Sequence, residues 1–349
     1  MTTVCKERPG GQGSIGRVVK RAGGVLAGLA VGGLALVVVG PAAVADTLAG
    51  AQPRFVALAA GLGGVALIAW GCSLWAVLRG LGIDVGVGRA CGLFVGTVFL
   101  NSVTPFGQVG GDLPSGYLLA RDRGVRTEAG VAAIMSVNTV NKIAGIGLGL
   151  VGVLVLGGIG SIQPSPAVAV WGGLAAGISL LAILVWQYRQ HAVSGLATLL
   201  GPPVKTIADR LPRVSPAGRP AVRRRLEGYV NALERIGTAR TATAVVLLGT
   251  AGQVAVSAVL WVVLGAFGLS VPAAAAVVAV PVAQVAGISP TPGGIGGVGV
   301  TLAVVLVTIA GIGSVEAGAA AVLYRGVTLW LPLLPGGAVV GAVLLGSAE

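Results

Sequence analysis

The 349-residue chain is 55% hydrophobic and carries 60 glycines, yet only 10% of it is charged, against about 25% in ordinary soluble domains. A mean hydropathy of +0.95 leaves too little polar surface for a water-soluble globule and too much apolar character for disorder. The glycines follow no three-residue period and the three cysteines are too few for a disulfide scaffold, so what remains is a polytopic membrane protein.

Residues 1–22 hold Lys6, Arg8, Arg17, Lys20 and Arg21 against Glu7 and read as a basic cytoplasmic tail. The rest, 23–349, reads as a single transmembrane domain. Apolar runs follow at about 23–44, 54–77, 90–104, 128–159, 167–187, 241–268, 271–289, 297–312 and 316–346; a run of about 20 residues crosses a roughly 30 Å hydrocarbon core. The first run lacks a small-residue cleavage site and reads as a retained span, not a removed signal peptide.

The third run breaks after about 15 residues at NSVTPFGQVGGD (101–112), and Arg121, Asp122, Arg123 and Arg126 come soon after. Residues 90–120 therefore read as a re-entrant hairpin entering from and returning to the cytoplasm. Irregular backbone at that depth needs cover from protein or a watery cavity. The full spans 128–159, 167–187 and 241–268 follow, with a basic loop at 189–240 between the last two. That loop carries ten arginines and lysines against Asp209, Glu227 and Glu234, whereas 159–170 has no charge, a positive-inside asymmetry that puts the tail and the loop in the cytoplasm. Within it, Val222, Leu226, Tyr229, Val230, Leu233 and Ile236 recur at helical spacing after Pro220, as in an amphipathic helix lying on an anionic leaflet; a plain positive-inside anchor is the alternative. Nucleic-acid binding is not expected, because no aromatic stacking platform accompanies the charge.

A second break, SPTPGGIGGVG (289–299), repeats the first: TPFGQVGGD (104–112) aligns with TPGGIGGVG (291–299) at a constant offset of 187. The three spans between them reverse the direction of insertion, so the second hairpin enters from outside. Paired broken segments in two halves point to a transport site at the repeat interface. The G-x-G-x-x-G formed by Gly294, Gly296 and Gly299 follows no strand and precedes no ribose-binding acid. No nucleotide or other cofactor is expected.

Ionisable groups within apolar runs mark functional sites by default. Lys142 shares a helix face with Asn138, beside Asn141; Arg325, flanked by Tyr324 and Thr328, falls opposite Asn138 at the 187 offset. Asn101, Gln108 and Asp112 belong to the first break, and Gln284 precedes the second. Asn101, Gln108, Asp112, Asn138, Lys142, Arg325, Gly294 and Gly296 form the expected substrate-binding set, with the cations and broken-helix ends turned toward an anion. The competing reading is that Lys142 or Arg325 only pairs with Asp112 or a carbonyl to hold the bundle. Cys5, Cys72, Cys91 and the lone His191 suggest no metal site, and no HExxH or GxSxG set suggests an enzyme.

The stretch NSVTPFGQVGGDLPSGYLLARDRG, with GISPTPGGIGGVG and LYRGVTLWLPLLPGG after it, resembles the flippase-like integral membrane proteins related to the transmembrane region of lysylphosphatidylglycerol synthase, over about residues 54–346. The resemblance implies a first motif closing on glycine and an acid, met by Gly111 and Asp112, and a buried arginine, met by Arg325. It also implies an acid five residues beyond the second motif's glycine pair, where this chain has Gly299. By resemblance the activity is movement of a phospholipid or polyprenyl-linked lipid between leaflets; without an aminoacyl-transferase domain in the sequence, lysine transfer is not expected.

The reading as a whole is an all-α membrane protein of about six full spans plus two inverted re-entrant broken-helix hairpins, set multi-pass in the cell (plasma) membrane with a cytoplasmic N-terminus. Its function reads as transport of an anionic phospholipid or polyprenyl-linked lipid, with membrane lipids as partners. The alternative is a non-catalytic membrane subunit supporting a lipid-modifying enzyme or glycosyltransferase.

Overall fold

The computed structural model describes residues 41–104, 107–158, 239–288 and 291–346. The basic tail, most of the run 23–44, the run 167–187 and the amphipathic stretch from Pro220 to Ile236 lie outside them. In chain order the described helices are α1 (Pro41–Ala49), α2 (Pro53–Gly80), α3 (Val87–Val103), α4 (Gly107–Arg123), α5 (Thr127–Gly158), α6 (Ala239–Ala266), α7 (Ala273–Val285), α8 (Ile295–Ala310), α9 (Ser314–Arg325) and α10 (Leu331–Leu345). No strand occurs among the described residues. A π-helical turn, Gly326–Trp330, joins α9 to α10, so Ser314–Leu345 runs as one 32-residue rod.

Four rods, α2, α5, α6 and α9–α10, are long and apolar enough to cross a membrane. The shortest, at 27 residues by that measure, reaches about 40 Å at 1.5 Å per residue. The helices α3, α4, α7 and α8 have 13 to 17 residues and reach only about 20–26 Å. The two short pairs are the two segments expected to be broken.

The 187-residue offset found in two loop motifs holds for the architecture. Added to α5, it gives residues 314–345, the limits of the α9–α10 rod; added to Gly107, it gives Gly294, the residue that caps α8. The helix α2 matches α6 at an offset one residue shorter. These two counterparts run antiparallel: Gly80 lies against Thr241, Trp70 against Gly252 and Phe55 against Gly265, and the Gln52 N–H donates to Ala266 O at 3.1 Å. Halves whose equivalent helices run in opposite directions form an inverted repeat.

The halves are interlocked. The first hairpin's α3 packs on α10 of the second half, and the second hairpin's α7 packs on α5 of the first. Glycines allow both approaches: a methyl on Gly336 would lie 2.6 Å from Val95 O, and one on Gly152 would lie 2.8 Å from Val278 Cγ2. Close backbone contact of this kind is how helices associate where lipid competes for apolar side chains.

Both outer ends of the first hairpin lie on one face of the protein. Arg89 at the start of α3 pairs with Asp122 at the end of α4, Arg123 Nε donates to the same carboxylate at 2.9 Å, and Arg121 reaches Leu344 O at 3.1 Å. That face also receives the end of α2 with Arg79 and the start of α6 with Arg240. The opposite face holds the start of α2, the end of α6, and the start of α9, which packs on α1; its charges among the described residues are Asp46, Arg54 and Glu316. The first hairpin thus opens onto the basic face and the second onto the other.

Candidate functional site

The two breaks meet inside the bundle. Thr104 closes α3, its hydroxyl donating to Leu100 O at 2.6 Å. The second break turns through Gly293 and Gly294, with φ of 60° and 62°, where a Cβ would be strained. A methyl on Gly293 would sit 3.2 Å from Ser102 O, so backbone of one break roofs the other.

Beside this junction lies a cavity of about 730 Å³. Its wall includes Asn101, Asp112, Asn138, Lys142 and Arg325, which brings together five of the eight residues singled out in the sequence. Of the rest, Gly294 is buried against Gly287 behind the wall, and Gly296 is buried in α8; Gly293 and Gly287 line the cavity instead. The side chain of Gln108 lies outside the described residues.

Equivalent positions of the two halves make equivalent tethers. Asn138 Nδ2 donates to Asp112 Oδ1 at 2.5 Å, joining α5 to the inner limb of its own hairpin. Its counterpart Arg325 donates from Nη2 to Gly293 O at 2.5 Å, joining α9 to its own break. Arg325 directs one nitrogen at a neutral carbonyl and pairs with no carboxylate among the described residues. Lys142, one turn beyond Asn138, makes no hydrogen bond to a described residue and faces the Asp112 carboxylate electrostatically. Two cations and one anion give the described lining of the cavity a formal charge of +1.

The neutral lining adds donors. Asn101 Oδ1 and Asn141 Oδ1 are buried without hydrogen-bond partners among the described residues. Each lies against a glycine of the next helix, Gly111 and Gly249 respectively, where a Cα–H is the available weak donor. Both residues line the cavity, so the amide nitrogen is the polar group each offers to it. Gln253 Nε2 donates to Gln284 Oε1 at 3.3 Å, and Tyr324 also lines the cavity. Among the described residues no group of three His, Cys, Asp or Glu side chains could hold a metal ion.

Gln253, 1% exposed, and Trp70 are wall residues that sequence reasoning passed over. A lone glutamine in the apolar stretch VVLLGTAGQVAVS was the available signal for the first. For Trp70 there was none, because an aromatic in an apolar run does not disclose which face it occupies.

No curated protein matches the chain. The family described as the lysylphosphatidylglycerol synthase TM region matches residues 25–336, which takes in every element that builds the cavity. The chain, a multi-pass membrane protein with an inverted repeat and a cationic cavity where its two broken helices meet, belongs to the lysylphosphatidylglycerol synthase TM region family.

Proposed function

We propose that the protein moves an anionic phospholipid or polyprenyl-linked lipid between bilayer leaflets, binding the headgroup in the cavity. The observation that carries this reading is the excess of cation there: Lys142 and Arg325 line the cavity with a single carboxylate among the described residues, Asp112, within apolar helices. A buried charge without a partner costs several kcal/mol, and intramembrane ionisable residues cluster on substrate pathways. A headgroup phosphate supplies the missing negative charge, and the Asn101 and Asn141 amides supply further donors to its oxygens.

The inverted, interlocked halves support transport in particular. A site at the interface of two oppositely oriented repeats becomes accessible from either side as one half rocks against the other. The tethers from Asn138 to Asp112 and from Arg325 to Gly293 hold the inner limbs of the two hairpins, one in each half. In this reading the face carrying Arg79, Arg89, Arg121, Arg123, Arg126 and Arg240 is cytoplasmic, the N-terminus lies on that side, and the membrane is the plasma membrane.

The test is purified protein in liposomes, with a labelled anionic lipid in one leaflet and no ATP. Faster movement to the other leaflet than in protein-free vesicles, with the lipid chemically intact, is the expected result. A covalently altered lipid would indicate an enzyme. No movement across a panel of anionic lipids would indicate a non-catalytic subunit supporting another membrane enzyme.

A further inference from the structure

The cavity wall contains three apolar side chains that are also exposed at the protein surface: Leu113 at 64%, Val285 at 44% and Met135 at 36%. A side chain that both lines a cavity and meets the surrounding medium marks its mouth. Each of the three stands beside a polar wall residue on its own helix. Leu113 follows Asp112 on α4, Val285 follows Gln284 on α7, and Met135 lies about one turn before Asn138 on α5. On each helix a polar wall residue thus stands beside an apolar one that meets the surroundings; the one exposed polar residue of the described wall is Thr139 on α5. A mouth opening onto water would show the reverse gradient, since lipid-facing positions favour apolar side chains and ionisable ones face a watery interior.

We propose that this mouth is a lateral portal to the bilayer, framed by Leu113, Met135 and Val285, through which the acyl chains of an anionic lipid extend while its headgroup occupies the cavity. The proposal rests on the transport reading for the identity of its occupant. Size supports it: 730 Å³ is a cube about 9 Å on edge, whereas an acyl chain spans a leaflet roughly 15 Å deep. The headgroup fits and the chains do not, so a bound lipid must leave the protein at some point on the wall. The only apolar exposed stretch of the described wall with cationic and amide groups directly behind it is this one.

Photocrosslinking in the full-length protein tests the portal. A benzophenone amino acid is placed singly at Leu113, Met135 or Val285, and as a control at Leu334, a residue of α10 that is 85% exposed and does not line the cavity. The vesicles hold equal amounts of phosphatidylglycerol and phosphatidylcholine with distinguishable tagged acyl chains. The control should capture the two lipids in their bulk ratio. At the portal positions the anionic lipid should be enriched at least threefold over that ratio, and Lys142→Gln should abolish the enrichment there without changing the control. An equal ratio at all four positions overturns the portal, whether or not the Lys142→Gln protein folds. Lipid movement is measured in the same vesicles: movement without enrichment refutes the portal and keeps the transport reading, and enrichment without movement keeps the portal and refutes transport.

Discussion

Neutralising the cavity cations should weaken anionic lipid binding by an amount that distinguishes a headgroup site from an architectural one. A unit charge about 4 Å from a phosphate oxygen contributes about 4 kcal/mol at an effective dielectric constant of 20. Glutamine keeps part of the hydrogen bonding, so Lys142→Gln or Arg325→Gln should cost about 1.4–2.8 kcal/mol, or ten- to a hundredfold in affinity. The readout is lipid-dependent thermal stabilisation in detergent. At a lipid concentration 100 times the wild-type Kd, the wild type gains about 2.7 kcal/mol, a tenfold weaker variant about 1.4 and a hundredfold weaker one about 0.4. Zwitterionic lipid should stabilise all three proteins alike. Arg325→Lys should also lose anionic stabilisation, because an ammonium cannot reach Gly293 O and a phosphate with the planar fork of a guanidinium. Equal stabilisation of wild type and both glutamine variants by anionic lipid would remove Lys142 and Arg325 from the site and leave them as structural cations.

Asp112→Asn should act in the opposite direction: Asn138 keeps an oxygen acceptor while the charge of the described lining rises from +1 to +2, so anionic stabilisation should increase, read in the same thermal assay. Gly130→Ala should destabilise the protein by about 1–3 kcal/mol through overpacking, since the added methyl meets Gly116 backbone where α4 crosses α5; denaturation of the variant beside wild type measures it. Asp84→Cys and Ser270→Cys, each at an exposed turn and in a background without the native cysteines, should react with an impermeant thiol reagent from opposite sides of sealed vesicles. Labelling of both from one side would contradict the inverted arrangement.

The broken segments were legible because their cause is local. Proline and glycine interrupt a helix, and a run of about 15 residues is too short to span. The repeat was legible for a related reason: two irregular turns doing the same task in two halves keep the same backbone requirements, so TPFGQVGGD and TPGGIGGVG still align. The offset found in those nine residues carries over to the limits of α5 and of the α9–α10 rod. Rotation of each rod about its axis was not legible. Lys142 and Asn138 drew attention as polar groups in an apolar run, but nothing local showed that α6 directs Gln253 inward or that α2 brings Trp70 to the wall. The π-turn after Arg325 was equally hidden, since it has no counterpart in the uninterrupted α5. The glycines illustrate the other limit. A motif shows that glycine is needed, but only the backbone path shows that Gly293 borders the cavity while Gly294 and Gly296 pack behind it.

A cationic cavity between inverted repeats should move anionic lipid in preference to neutral lipid. The most direct test is the initial rate of leaflet exchange for labelled phosphatidylglycerol and labelled phosphatidylcholine, in vesicles holding equal amounts of folded wild-type or Lys142→Gln protein. Wild type should move the anionic lipid several times faster than the zwitterionic one, and Lys142→Gln should remove most of this preference. Equal rates for the two lipids in wild type, or an unchanged preference in Lys142→Gln, would contradict this reading of the cavity.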